Sequence, residues 1–96
     1  MRSDVITKGS RQRKVCVSGP DADDRVELQL GELSLHKQGA LDRDVRVVRD
    51  EAGPFAVVLI GRDGGEKARW TEPVAATEIW ERIDAMPMRR SELRDR

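Results

Sequence analysis

The chain has 96 residues, with 18 Lys and Arg against 18 Asp and Glu, one His, one Cys and three aromatic residues. That length admits one ordinary domain, and zero net charge removes the long-range field that draws polyanions or acidic membranes to a whole molecule. One Cys cannot close an internal disulfide, and with one His it cannot complete a structural zinc site.

Residues 1–12 read as a basic flexible arm. Five basic groups, Arg2, Lys8, Arg11, Arg13 and Lys14, stand against Asp4 in the first fourteen residues, with no apolar stretch of signal-peptide length. The longest apolar run, Phe55 to Ile60, is far short of the roughly 20 residues of a membrane span, so a soluble, cytoplasmic protein is expected. Of the 27 large apolar residues, 22 lie between Val15 and Met86. A single α+β domain is therefore expected over 13–87, followed by a charged tail over 88–96.

Inside that domain the spacing of apolar residues is mostly two, the period of a strand with one buried face. Val15 and Val17 form the first strand, which ends at the turn Ser18-Gly19-Pro20-Asp21. Val26, Leu28 and Leu30 then share one face of a second predicted strand. Leu33 and Leu35 have the opposite parity, so a bend is predicted at Gly31 and Glu32. Val45 and Val47 restart the alternation, and Phe55 to Ile60, apolar on both faces, reads as the centre of the sheet. Gly61-Arg62-Asp63-Gly64-Gly65 reads as a hairpin loop into the strand Lys67 to Thr71. From there the period lengthens: Ala76, Ile79, Trp80, Ile83 and Met86 fall three or four apart, predicting an amphipathic helix over 73–86 stopped by Pro87. The expected fold is α+β, an antiparallel sheet of about five strands, curled into a small SH3-like or half-open barrel, with one C-terminal amphipathic helix packed on it.

Charge is segregated along this frame. Asp21 to Glu32 carries five acids against Arg25, and the last eight residues carry four arginines against Glu92 and Asp95. Neutrality is global only, and the layout is dipolar.

Each motif that suggests chemistry has a plainer structural explanation. Cys16 and His36 are the minimal nucleophile and base, but they fit a small strand residue and a surface histidine. Asp21, Asp23 and Asp24 crowd together as metal ligands do. An EF-hand-like loop would need an oxygen ligand at 25 and glycine at 26, where Arg25 and Val26 stand, so a solvated acidic turn is expected. The glycines at 61, 64 and 65 lead into a strand rather than a helix, which favours a hairpin over a phosphate cradle.

Met1 to Gly9, Met-Arg-Ser-Asp-Val-Ile-Thr-Lys-Gly, resembles the opening of dihydroxy-acid dehydratases over those nine residues. Nothing after it follows that family, whose cluster-ligating cysteines and length are absent, and no role is carried over.

With no Ser-His-Asp spacing, zinc set or phosphate loop, the chain reads as a binding protein without a cofactor rather than a catalyst. The expected role is an accessory subunit or inhibitor of a larger protein partner. Contact is expected through a sheet edge carrying Trp70, Arg69 and Arg62, aided by the segregated charges. An exposed edge would equally serve a homodimer. The alternative is a nucleic-acid-associated protein using Lys8, Arg11, Arg13 and Lys14, although few aromatic residues are present for base stacking.

Overall fold

The computed structural model describes residues 12–86. Seven elements follow in order: β1 (Arg13–Ser18), α1 (Asp24–Leu35), α2 (Lys37–Asp42), β2 (Val45–Asp50), β3 (Ala56–Ile60), β4 (Glu66–Trp70) and α3 (Ala76–Asp84). The four strands form one sheet in the order β2-β1-β3-β4. β1 runs parallel to β2 and antiparallel to β3, and β4 is antiparallel to β3.

The α+β class, the C-terminal helix and the central place of Phe55 to Ile60 agree with the sequence reading, and three expectations are corrected. The sheet has four strands, not five, and it is not wholly antiparallel. Several helical segments are present rather than one, and the open strand order replaces the small barrel. All three corrections have one source: residues 24–35 are a helix. A parallel β1–β2 pair needs a crossover of a dozen or more residues, and α1 and α2 supply it.

The helix forms because Val26, Leu30 and Leu33 are also spaced four and three apart, so they share a helical face as readily as alternating residues share a strand face. Asp23 tips the choice as N-cap, its side chain accepting from Arg25 N at 2.9 Å. The bend expected at Gly31 and Glu32 is instead an uninterrupted turn of α1.

The helices all pack on one face of the sheet. Val15, Val17, Val45, Val57 and Leu59 point into a single core with Val26 and Leu33 of α1, Ala40 of α2, and Ile79, Trp80 and Ile83 of α3. Val15, Val17, Val57, Leu59, Ile79 and Ile83 are completely buried. Gly39 lets α2 approach α3 closely, since a Cβ there would sit 2.6 Å from Trp80 Nε1. The Arg43 guanidinium follows, donating to both carboxylate oxygens of Asp84 at 3.0 and 2.8 Å and ending 5.6 Å from the Trp80 ring centroid. On the opposite face Lys14, Cys16 and Ser18 pair across the sheet with Ile60, Val58 and Ala56. Ala56 and Val58 on this face are buried.

α3 begins at Ala76, three residues later than its spacing suggests, with Ala75 as N-cap and no side-chain cap of its own. Its anchors are the expected ones. Replacing both Ile79 and Ile83 with Asp places two uncompensated charges in the core and should abolish the cooperative thermal transition followed by circular dichroism. A double variant melting like the parent would contradict this packing.

Candidate functional site

In a sheet with parallel strands the first place to look is the crevice beyond their carboxyl ends, here the turn between β1 and α1. That turn is filled by the chain's own side chains. Gly19 adopts φ +127°, and a Cβ there would meet Phe55 Cα at 3.1 Å and Val26 Cγ2 at 3.2 Å, so only glycine fits. Arg49 donates to the Val17 and Gly19 carbonyls at 3.2 and 2.7 Å and to Asp21 at 2.8 Å. Arg25 donates to both Asp23 oxygens at 3.1 and 2.8 Å, with its guanidinium 5.0 Å from the Phe55 ring centroid. Hydrogen bonds from the Arg25 side chain and amide hold the Asp23 carboxyl below the ordinary carboxylate range, keeping the cap ionised. Asp21 and Asp23 are thus committed to arginines, and among the described residues no group of three or more His, Cys, Asp or Glu could hold a metal ion.

Exposed apolar side chains stand at Leu41 on α2, at Val47 on β2 and, as a pair, on the outer side of α1. Leu28 is 63% exposed and Leu35 83% exposed, and both line a groove of about 690 Å³. The facing wall is the strap Pro73-Val74-Ala75, which leads into α3, and the groove also takes in Glu27, Gly31, Glu32 and Ser34. Gly31 is exposed between the two leucines, and apart from its chain neighbours and the helix's own backbone no atom lies within 4 Å of the place a Cβ would occupy.

What holds the strap against α1 is a buried amide. Gln29, fully buried, donates from Nε2 to the Val74 carbonyl at 3.0 Å, and its Oε1 accepts from the Val74 amide at 2.8 Å. One turn on, a Glu32 carboxylate oxygen accepts from the Ala76 amide at 2.8 Å, so α1 supplies the cap that α3 lacks. His36 sits beside this cap, its Nδ1 3.1 Å from the Glu32 carbonyl and 3.6 Å from the Glu32 carboxylate.

The residues singled out from sequence lie elsewhere and are largely engaged. Trp70 is on edge strand β4, but its indole N–H donates to Glu78 at 3.0 Å and Arg82 stacks 5.6 Å from its ring, tying it to α3. Arg69 bonds Glu66 on the same strand at 3.1 and 3.0 Å, and Arg62 donates to Asp44 at 2.9 Å. Of the basic set, Lys8 and Arg11 lie outside the described residues, as do the other residues of 1–11, the nine-residue resemblance and the tail over 88–96. Arg13 is buried in β1, donating to the Arg43 carbonyl at 2.8 Å, and Lys14 is half-buried on the next position. Arg13 is therefore not presented on a surface strip. Cys16 and His36 are not brought together as nucleophile and base: Cys16 is in mid-β1, half-buried on the sheet face opposite the helices, His36 at the end of α1. Burial pushes the Cys16 thiol up, Asp50 adds to the rise, and Arg49 and Arg69 oppose it. The glycine loop is a hairpin, as its sequence suggests, closed by Gly61 N to the Gly65 carbonyl at 2.9 Å.

Sequence reasoning missed Gln29, Glu32, Leu28 and Leu35 as a set. Their signal was present as a conflict: read at helical period, residues 24–35 place a glutamine inside and two leucines outside.

A family model described as a domain of unknown function, DUF4174, matches residues 46–92, which includes the strap and leaves out α1. No curated protein matches. Among solved structures, mitochondrial thioredoxin 3 from Saccharomyces cerevisiae, in its oxidized form, is similar with a TM-score of 0.59 and 14% identity, over 88% of this chain and 90% of that one. Thioredoxin-type exchange needs two cysteines in a C-x-x-C pair, and these 96 residues hold one. The likeness shows a thioredoxin-like fold.

The Gln29 contact sets the width of the groove and is open to measurement. Gln29→Leu keeps the volume but leaves the Val74 N–H and C=O buried without partners, so it should cost about 3 kcal/mol in urea unfolding. A variant as stable as the parent would show that the strap is held by something else.

Proposed function

We propose that this chain is a small non-enzymatic protein-binding module, an accessory subunit or inhibitor that works by covering or biasing a larger protein. Its docking surface is the α1 groove rather than the β4 edge. The observation that carries this is the exposure of Leu28 and Leu35, two large apolar side chains seven residues apart, on the two sides of a notch at Gly31. Apolar side chains left out of water-excluding contact, grouped in a concave site with a polar rim, are the usual mark of a protein interface.

A binding role also agrees with the chemistry around Cys16. A nucleophilic thiol needs a depressed pKa, and here burial works in the opposite direction. Trp70, Arg69 and Arg62, the interface set suggested by sequence, are bonded to Glu78, Glu66 and Asp44 within the chain. We place the module in the cytoplasm, where a free thiol such as Cys16 stays reduced. Among the described residues no helix is long and apolar enough to cross a membrane.

The test compares capture of host proteins by the parent chain, by Leu28→Asp with Leu35→Asp, and by Trp70→Ala. Because both leucines are exposed, the double variant should keep its stability within about 0.5 kcal/mol. Its affinity for the captured partner should fall by roughly 30-fold or more, from about 1 kcal/mol for each lost anchor. Capture that survives the double variant and disappears with Trp70→Ala would return the interface to the sheet edge.

A further inference from the structure

The groove has a shape and a charge, and together they select its occupant. We infer that it receives a basic amphipathic helix of the partner protein, with a large apolar side chain seated over Gly31; this rests on the binding-module assignment above and adds the class of ligand.

The backbone excludes an added strand. Strand addition needs a row of free N–H and C=O groups, and neither wall offers one. The amides of α1 are bonded within the helix. On the strap, Pro73 has no N–H, the Val74 N–H and C=O are both taken by Gln29, the Ala75 carbonyl accepts from the Glu78 amide, and beyond it the Ala76 N–H is taken by Glu32, so no continuous row of free groups is offered. Recognition must therefore come from side chains.

The side chains are spaced for a helix. Leu28 and Leu35 are two turns apart, about 10 Å along α1, and Gly31 is the gap between them. A ridge, a hole and a second ridge at this pitch accept the side chains that a second helix places at i, i+3, i+4 and i+7. Apart from its chain neighbours and the helix's own backbone, nothing lies within 4 Å of the absent Gly31 Cβ, so the hole is open.

The charge is of one sign. Glu27 and Glu32 are the charged residues lining the groove, and no Lys, Arg or His lines it. A separate hollow beyond Ala75 is lined by Glu78, Glu81 and Arg82. An anionic ligand would find the first amide of α3 already occupied by the Glu32 carboxylate. Lysine or arginine flanking an apolar stripe on the incoming helix would meet Glu27 and the outer oxygen of Glu32 at the rim.

The experiment uses the full ¹⁵N-labelled chain and two designed peptides with the same leucine stripe at i, i+3, i+4 and i+7, one flanked by lysines and one by glutamates. The lysine peptide should shift the amides of 27–35 and of Val74 to Ala76. It should bind at least tenfold more tightly than the glutamate peptide, by a margin that shrinks as salt is raised. Gly31→Leu fills the notch with a better helix former, so this variant should melt no lower than the parent and yet bind the lysine peptide at least tenfold more weakly. Equal binding of the two peptides, shifts confined to other surfaces, or undiminished binding by Gly31→Leu would overturn the inference. Shifts at 27–35 that depend on protein concentration alone would assign the groove to a second copy. Shifts there on Met88→Ser with Leu93→Ser would assign it to this chain's own tail. Either result would also overturn it. If partner capture is lost with Leu28→Asp and Leu35→Asp while the peptides bind alike, the binding module stands and the basic helix falls.

Discussion

The structure depends on one buried amide. Gln29 projects from α1 into the core and makes two hydrogen bonds to Val74, forty-five residues later. An amide in that place without partners would be costly, so the two bonds fix both sides of the contact. On one side they hold the strap Pro73-Val74-Ala75, with Val74 itself buried and α3 starting immediately after it. On the other side they fix the rotation of α1. With Gln29 turned inward, Val26 and Leu33 must face the sheet, and Leu28 and Leu35 must face away from it. Glu32 then meets the first amide of α3. The groove is the space this geometry leaves between helix and strap.

The same residues explain how much was legible beforehand. Strands β1 to β4, the hairpin at Gly61 to Gly65 and the anchors Ile79 and Ile83 follow from simple periodicity, because their apolar residues point where burial requires. Residues 24–35 do not behave that way. A polar residue at a buried position and leucines at exposed ones break the helical pattern, while Val26, Leu28 and Leu30 alternate by chance as a strand would. The phase break between Leu30 and Leu33 was the trace of a helical period. Read as a strand, α1 leaves the parallel β1–β2 pair without its crossover. The surroundings of Trp70 are illegible for a different reason: sequence does not show that Glu78 and Arg82, a turn apart on α3, lie against its ring. Local rules fail where a protein keeps residues for something other than folding, and here the failure and the candidate site coincide.

Sharing a fold with a thioredoxin leaves function to be argued from the site. The turn after β1 is closed by Arg49, Arg25 and their aspartates, and the single cysteine sits half-buried within the strand with its thiol pushed up. Side chains that could do chemistry there are engaged in holding the turn. Large apolar side chains remain outward at Leu28 and Leu35 on α1, at Leu41 on α2 and at Val47 on β2, and of these only the α1 pair lines the groove, beside Glu27 and Glu32. The acidic segment that makes the sequence dipolar is thus divided: Asp21 and Asp23 hold the turn after β1, and Glu27 and Glu32 line the groove.

Amide hydrogen exchange tests this account most directly, because it reads the two hydrogen bonds that α1 makes to the strap. Val74 lies in an irregular segment and Ala76 in the first turn of a helix, and amides in such places ordinarily exchange fast. The account predicts that both are protected to a degree approaching the central strands β1 and β3. It also predicts that Gln29→Leu removes the protection at Val74 while leaving those strands protected. Rapid exchange of Val74 and Ala76 in the parent chain would contradict it, since the strap would then be free of α1 and the groove would have no fixed wall.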